Sequence, residues 1–78
     1  MPDIHFTRQQ ALLIQALLET PGEPVAWPEL AAAMGIPRWA ATRQQVSNTV
    51  WQIRKRCGES AIKTAQPMGY YTDKETWA

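Results

Sequence analysis

The pattern Thr-x-x-Gln occurs twice, at Thr7 with Gln10 and at Thr42 with Gln45, each time directly before an amphipathic stretch. This is the capping-box spacing. The threonine hydroxyl accepts from the backbone N–H three residues on, and the glutamine side chain reaches back to the threonine N–H. Two helix starts are therefore written into the chain, and the rest must fit around them.

The first start leads into "ALLIQALLETPG", where Leu13, Ile14, Leu17 and Leu18 recur at helical spacing, flanked by Ala11 and Ala16. Pro21 and Gly22 end that helix. The second start leads into "RQQVSNTVWQIRKRCG", a helix predicted over 43–57 and terminated by Gly58. A start near Arg38 is the alternative, because Trp39 falls on the same stripe as Val46. Between the two, "EPVAW" reads as a short strand, and Pro28 suits a first helical position. A short second helix follows, with Leu30 and Met34 inward and Gly35 at its end. "IPRWAAT" is a connector, with Trp39 expected to plug it into the core.

After Gly58 the chain reads as a hairpin over 61–72: a strand at 61–65, the connection "QPMG", and a return strand at 70–72. "KETWA" follows as a short tail. A lone two-stranded hairpin is marginal in water, so this one must lie on the helices or pair with "PVAW". The expected fold is mainly α with a small β-hairpin, an α+β single domain of 78 residues with its core at about 6–73.

The third helix has two dissimilar sides. At about 100° per residue, Val46, Val50, Ile53 and Cys57 fall within roughly 60° of one another. Gln44, Asn48 and Lys55 point away, with Gln52 and Trp51 on the flanks. A merely solvated face is ordinarily furnished with Glu and Lys, whereas this one offers amides and no acid. Asn and Gln pair bidentately with adenine in the DNA major groove, and Arg and Lys neutralise phosphates. Trp51 is expected to pack under the hairpin or against the connector; contact with thymine methyls or sugar edges, or a protein interface, are the alternatives.

Charge is uneven along the chain. Residues 1–37 carry one Arg against four acids (−3), and residues 38–78 carry seven Lys or Arg against three acids (+4), for the net +1. A basic half is a cue for a polyanionic partner. Catalysis finds little support. His5 is alone, Cys57 lies on the core stripe as a buried inert thiol, and Asp3, Glu19, Glu23 and Glu29 have no paired spacing. With no Gly-rich phosphate loop and a single cysteine, the chain is expected to be no enzyme, with no cofactor, metal or evident small-molecule ligand. No stretch reads as a membrane span or signal peptide, so a cytoplasmic protein is expected.

Four motifs in this order resemble the winged-helix effector domain of OmpR/PhoB-type response regulators. "FTRQQALLIQALLETPG" is similar to that family's "LTxxEFxLLxLLxxxPG", and "PVAWPELAAAMG" to "VVSRxxLLxxVWG". "RQQVSNTVWQIRKRCG" resembles "RTVDVHIxRLRKKLG", with Val46, Val50, Ile53, Arg54, Lys55, Arg56 and Gly58 in step. "IKTAQPMGYYT" resembles the wing "IxTVRGxGYRL", keeping Ile62, Thr64, Gly69 and Tyr70. The resemblance implies a winged helix-turn-helix, here a stand-alone module, whose helix 43–57 enters the major groove while hairpin 61–72 approaches the minor groove. It implies that Asn48 and Gln52 stand where that family reads bases, and it places Arg43 and Arg54 near phosphates. Together with the residues of the helix face, the expectation is base reading by Asn48 and Gln52 assisted by Gln44 and Ser47, with further phosphate or wing contacts at Trp51, Lys55, Lys63 and Gln66.

The family usually binds direct repeats head to tail, so double-stranded DNA and a homodimer or tandem copies are the expected partners of a small phage or bacterial transcription regulator. Three departures bear on this. "RG" of the family's wing is Gln66 and Pro67 here, Trp27 stands where a capping Ser is usual, and the receiver domain has no counterpart, so regulation by aspartyl phosphorylation does not carry over. The rival expectation is a winged-helix module that binds protein and not DNA.

Overall fold

The computed structural model describes residues 6–65 and 69–77. The chain runs through α1 (Arg8–Glu19), β1 (Val25–Ala26), α2 (Trp27–Ala33), α3 (Arg43–Cys57), β2 (Lys63–Ala65), β3 (Gly69–Tyr71) and a closing 3-10 helix (Lys74–Trp77). Three helices pack on a small antiparallel sheet, giving a mainly helical α+β domain with a hairpin.

Both capping boxes form as the spacing requires. Thr7 and Gln10 exchange side-chain and backbone hydrogen bonds at 3.2 and 3.1 Å, and Thr42 and Gln45 do so at 3.2 and 2.8 Å. The third helix therefore starts at Arg43 and not near Arg38. It ends at Gly58, whose φ of 104° lies where a side chain is strained and whose N–H bonds the Arg54 carbonyl at 2.8 Å. α2 lacks a side-chain cap: Ala26 is its N-cap, with Pro28 and Glu29 in the first turn.

The core is drawn from all three helices. Leu13, Leu17, Leu30, Val46, Ile53 and Ile62 have no exposed surface, and Val50, Met34 and Ala31 join them. Burying each large apolar side chain contributes about 1.5–3 kcal/mol. In a domain this small, that set largely decides whether the chain folds.

The sheet order is β1-β3-β2. The hairpin does pair with the early strand: Val25 faces Tyr70 and Ala26 faces Gly69, while Lys63, Thr64 and Ala65 face Tyr71, Tyr70 and Gly69. Gly69 is required there, since a Cβ would stand 2.9 Å from the Val25 carbonyl oxygen. β2 is shorter than the 61–65 expected, and β3 is as long as the expected 70–72 but begins one residue earlier. Ala61 and Ile62 are buried ahead of β2, and Thr72, 1% exposed, donates its hydroxyl to the Ala61 carbonyl at 2.6 Å.

Trp39 departs from expectation and does not plug the connector. It stands 89% exposed on a turn closed by Ala40 N–H to the Pro37 carbonyl, and Ile36 and Ala41 pack on the core instead. Helical stripe logic fails for Trp39 because the helix begins only after it. The short tail is folded as well, as the 3-10 helix Lys74–Trp77. Trp77 donates its indole N–H to the Thr72 hydroxyl at 2.8 Å and meets Phe6 edge to face at 6.1 Å. No helix among the described residues is long and apolar enough to cross a membrane.

Candidate nucleic-acid interface

α3 is the longest helix, and its burial splits it lengthwise. Val46, Val50 and Ile53 are buried along one ridge, joined by Thr49, whose hydroxyl donates to the Gln45 carbonyl at 3.0 Å. Gln44, Ser47, Asn48, Trp51, Gln52 and Lys55 are exposed. Gln44, Asn48, Trp51 and Lys55 are spaced i, i+4, i+7 and i+11, so they form one straight outward row about 17 Å long.

Along that row the side chains touch one another. Gln44 donates through Nε2 to Asn48 Oδ1 at 3.1 Å. Lys55 holds its ammonium 4.8 Å from the Trp51 ring centroid. Trp51 is 59% exposed, so it packs neither under the hairpin nor against the connector as expected. Its indole lies on the outward row itself, with an apolar surface presented next to a cation. Trp51, Arg54, Lys55 and Glu59 line a shallow hollow beside it.

Gln52 sits at the edge of the row and is anchored. Gln10 of α1, only 3% exposed, donates through Nε2 to Gln52 Oε1 at 2.8 Å. The start of α1, including the exposed Arg8, is thereby held beside α3. Gln10 was missed as a site residue, although its signal lies in the sequence. It falls on the apolar stripe of α1 with Leu13, Ile14 and Leu17, and an amide on a core stripe needs a buried partner.

Two expected phosphate contacts are engaged inside the chain. The Arg54 guanidinium donates through Nε to the Ile62 carbonyl and through Nη2 to Thr64 Oγ1, both at 2.8 Å, with its carbon 6.0 Å from the Tyr70 ring centroid. Arg54 is thus a clamp between α3 and the hairpin, because an arginine one turn from the helix end reaches the adjacent strand before it reaches solvent. Lys63 pairs with Asp73 at 2.6 Å. That hydrogen bond, with the carboxylate charge, holds its ammonium above the ordinary lysine value.

Arg43, exposed at the start of α3, has no hydrogen bond or ion pair among the described residues. Lys55 stands exposed at the other end of the row. Gln66 and His5 lie outside the described residues. Burial pushes the Cys57 thiol above its ordinary value, against the neighbouring Arg56, which fits an inert thiol.

Three acids gather elsewhere. Glu19, Glu23 and Glu29 line a cleft with Ala16, Val25 and Ala33, formed by the end of α1, β1 and α2. Three acids of the first half thus lie together between α1 and α2, apart from the amide-and-cation row, while Glu59 stands beside the end of that row. Among the described residues no group of three His, Cys, Asp or Glu side chains stands close enough to hold a metal ion. Comparison with protein-family models, with curated proteins and with solved structures finds no match to this chain.

Proposed function

We propose that this domain binds double-stranded DNA sequence-specifically as a winged-helix transcription regulator, with α3 in the major groove and the β2–β3 hairpin as the wing. One observation carries the reading: the outward row of α3 is made of amides, an indole and a cation, with no carboxylate, while the opposite ridge forms the core. An α-helix fits the major groove, and amide side chains match base edges there. Asn48 and Gln52 read bases with help from Gln44 and Ser47. Trp51 lies against thymine methyls or sugars. Arg43 and Lys55 hold phosphates at the two ends of the row, and Arg8 joins them from α1. Lys63 meets phosphate only if Asp73 releases it. The protein acts in the cytoplasm on the nucleoid, alone or as paired copies.

The test is fluorescence anisotropy on random and selected duplexes across a salt series. Binding should weaken steeply as salt rises, by nearly one logarithmic unit in affinity per unit of log salt for each phosphate neutralised. No affinity at low salt would end this reading.

A second reading is favoured by Trp39, whose near-complete exposure on the α2–α3 turn is unusual for an indole. It makes the domain a protein-binding module, with Trp39 as the anchor. Trp39→Ala separates the two, since it should leave duplex affinity unchanged and abolish only a protein contact.

A further inference from the structure

A chain of two hydrogen bonds runs from the N-cap backbone of α1 to the edge of α3, and its direction is set at the first link. The Thr7 backbone N–H donates to Gln10 Oε1 at 3.1 Å. A backbone N–H is only ever a donor, so the end of the Gln10 amide facing Thr7 must be its oxygen. The other end is then NH₂, and it faces Gln52 at 2.8 Å. Gln52 must answer with its oxygen, which leaves its own NH₂ as the free end. That Nε2 has no hydrogen-bond partner among the described residues. The exposed pair of Gln44 and Asn48 is different: no backbone group fixes either amide, so both can turn over to suit a partner.

We propose that Gln10 is a positioning residue that fixes the polarity of the Gln52 amide, so that Gln52 meets DNA as a hydrogen-bond donor and selects guanine rather than adenine. The inference rests on the DNA reading of α3 given above. An unrestrained glutamine pairs with adenine by accepting from N6 and donating to N7. Gln52 directs its oxygen inward to Gln10, so the accepting half of that pair is turned away from the groove. Guanine presents two acceptors, O6 and N7, and both hydrogens of one NH₂ group can serve them. Gln10 is 3% exposed and touches no base, so it acts wholly through Gln52.

The relay can be reversed by a single substitution. In Gln10→Glu, studied at a pH where the carboxyl is ionised, the carboxylate still accepts from the Thr7 N–H, but its second oxygen can only accept. Gln52 must then turn its NH₂ inward and show its oxygen to the groove. Glu is the usual partner in a capping box and suits the positive start of a helix, so the fold is retained. Gln52→Glu reaches the same outward polarity without touching the α1 cap.

The experiment is selection of bound sequences from a random duplex pool by the wild type, Gln10→Glu and Gln52→Glu, with melting curves as the control for folding. At one position the wild type should select guanine, and both variants should select a base that offers a donor there, adenine or cytosine, with preference changed about five- to hundred-fold. The same selected base in all three proteins overturns the proposal, as does a uniform loss of affinity with no change of base, and in both cases the DNA reading stands. If the wild type selects no duplex, the DNA reading falls and the guanine preference with it. Side-chain amide exchange followed by NMR on the free protein checks the relay separately. The Gln10 NH₂ should be protected and the Gln52 NH₂ should exchange freely, and the reverse pattern overturns the relay.

Discussion

α1 and α3 begin with the same four-residue device, yet the two glutamines end in different places. Gln45 completes its capping box in the open, where its side chain bonds the Thr42 N–H and goes no further. Gln10 completes an equivalent box while buried, and its second amide end crosses to Gln52, 42 residues away in sequence. The local bonds depend on spacing alone. The second use depends on which face of the helix the third position falls, since position 10 shares the stripe of Leu13 and Leu17, while position 45 stays clear of Val46 and Val50. One local signal therefore determines a helix start in both cases and a tertiary contact in only one.

The sharpest way to break this comparison is to delete both glutamines. Gln10→Ala removes a buried amide and two part-buried hydrogen bonds, and should lower unfolding free energy by about 1–3 kcal/mol. Gln45→Ala removes an exposed bond that water replaces, and should cost about 0.5 kcal/mol. Urea denaturation measures both, and equal losses would mean that the crossing to Gln52 contributes nothing.

A second effect, of about 2 kcal/mol, separates the free part of the α3 row from its anchored edge. Asn48→Ala should lose that much specific affinity in a band-shift titration and relax the preference at one base pair. Lys55→Ala should weaken all sequences alike and lower the salt slope by about one.

The caps themselves should be alike. Thr7→Ala and Thr42→Ala should each cost about 1 kcal/mol by thermal melting, since the hydroxyl of each bonds only the local backbone. A loss at Thr7 well above that at Thr42 would show that the Gln10 relay depends on its cap.

The smallest effect is alkaline. Cys57 and Lys63 hold their protons more tightly in the folded chain than their ordinary values of 9.0 and 10.5. Their contribution is complete below those values and is lost as pH rises through the shifted ones. Stability should therefore decline gently above about pH 9, less so in Asp73→Asn, which removes the carboxylate facing Lys63.

Much of the fold was legible in the chain. The two capping boxes, the stripes of Leu13–Leu17 and Val46–Ile53 type, and terminal Gly58 act within a few residues, and so appear as local patterns. The instability of an isolated hairpin left two supports open, the helices or the early strand, and the pairing with the early strand is what forms. Less of the candidate site was legible. The exposure of Asn48 and Gln52 follows from helical geometry, but the destinations of long side chains do not. Arg54 and Lys63 look like free cations in sequence, and in the fold Thr64 and Asp73 lie within their reach. By spacing Trp39 falls on the stripe of Val46, and from its flank Trp51 can reach the hairpin or the connector, yet both indoles stand exposed, while Ile36 and Ala41 pack on the core beside the connector.

Phe6, just before α1, and Trp77, in the final 3-10 helix, meet ring to ring, so the described domain begins and finishes at one spot. A domain with that geometry can be set into a surface loop of a host protein, entered and left through neighbouring points without stretching the host. It can equally be closed into a circle by a short peptide and reopened at the exposed turn that carries Trp39, which would leave the amide row of α3 unbroken and make the order of its elements a matter of choice.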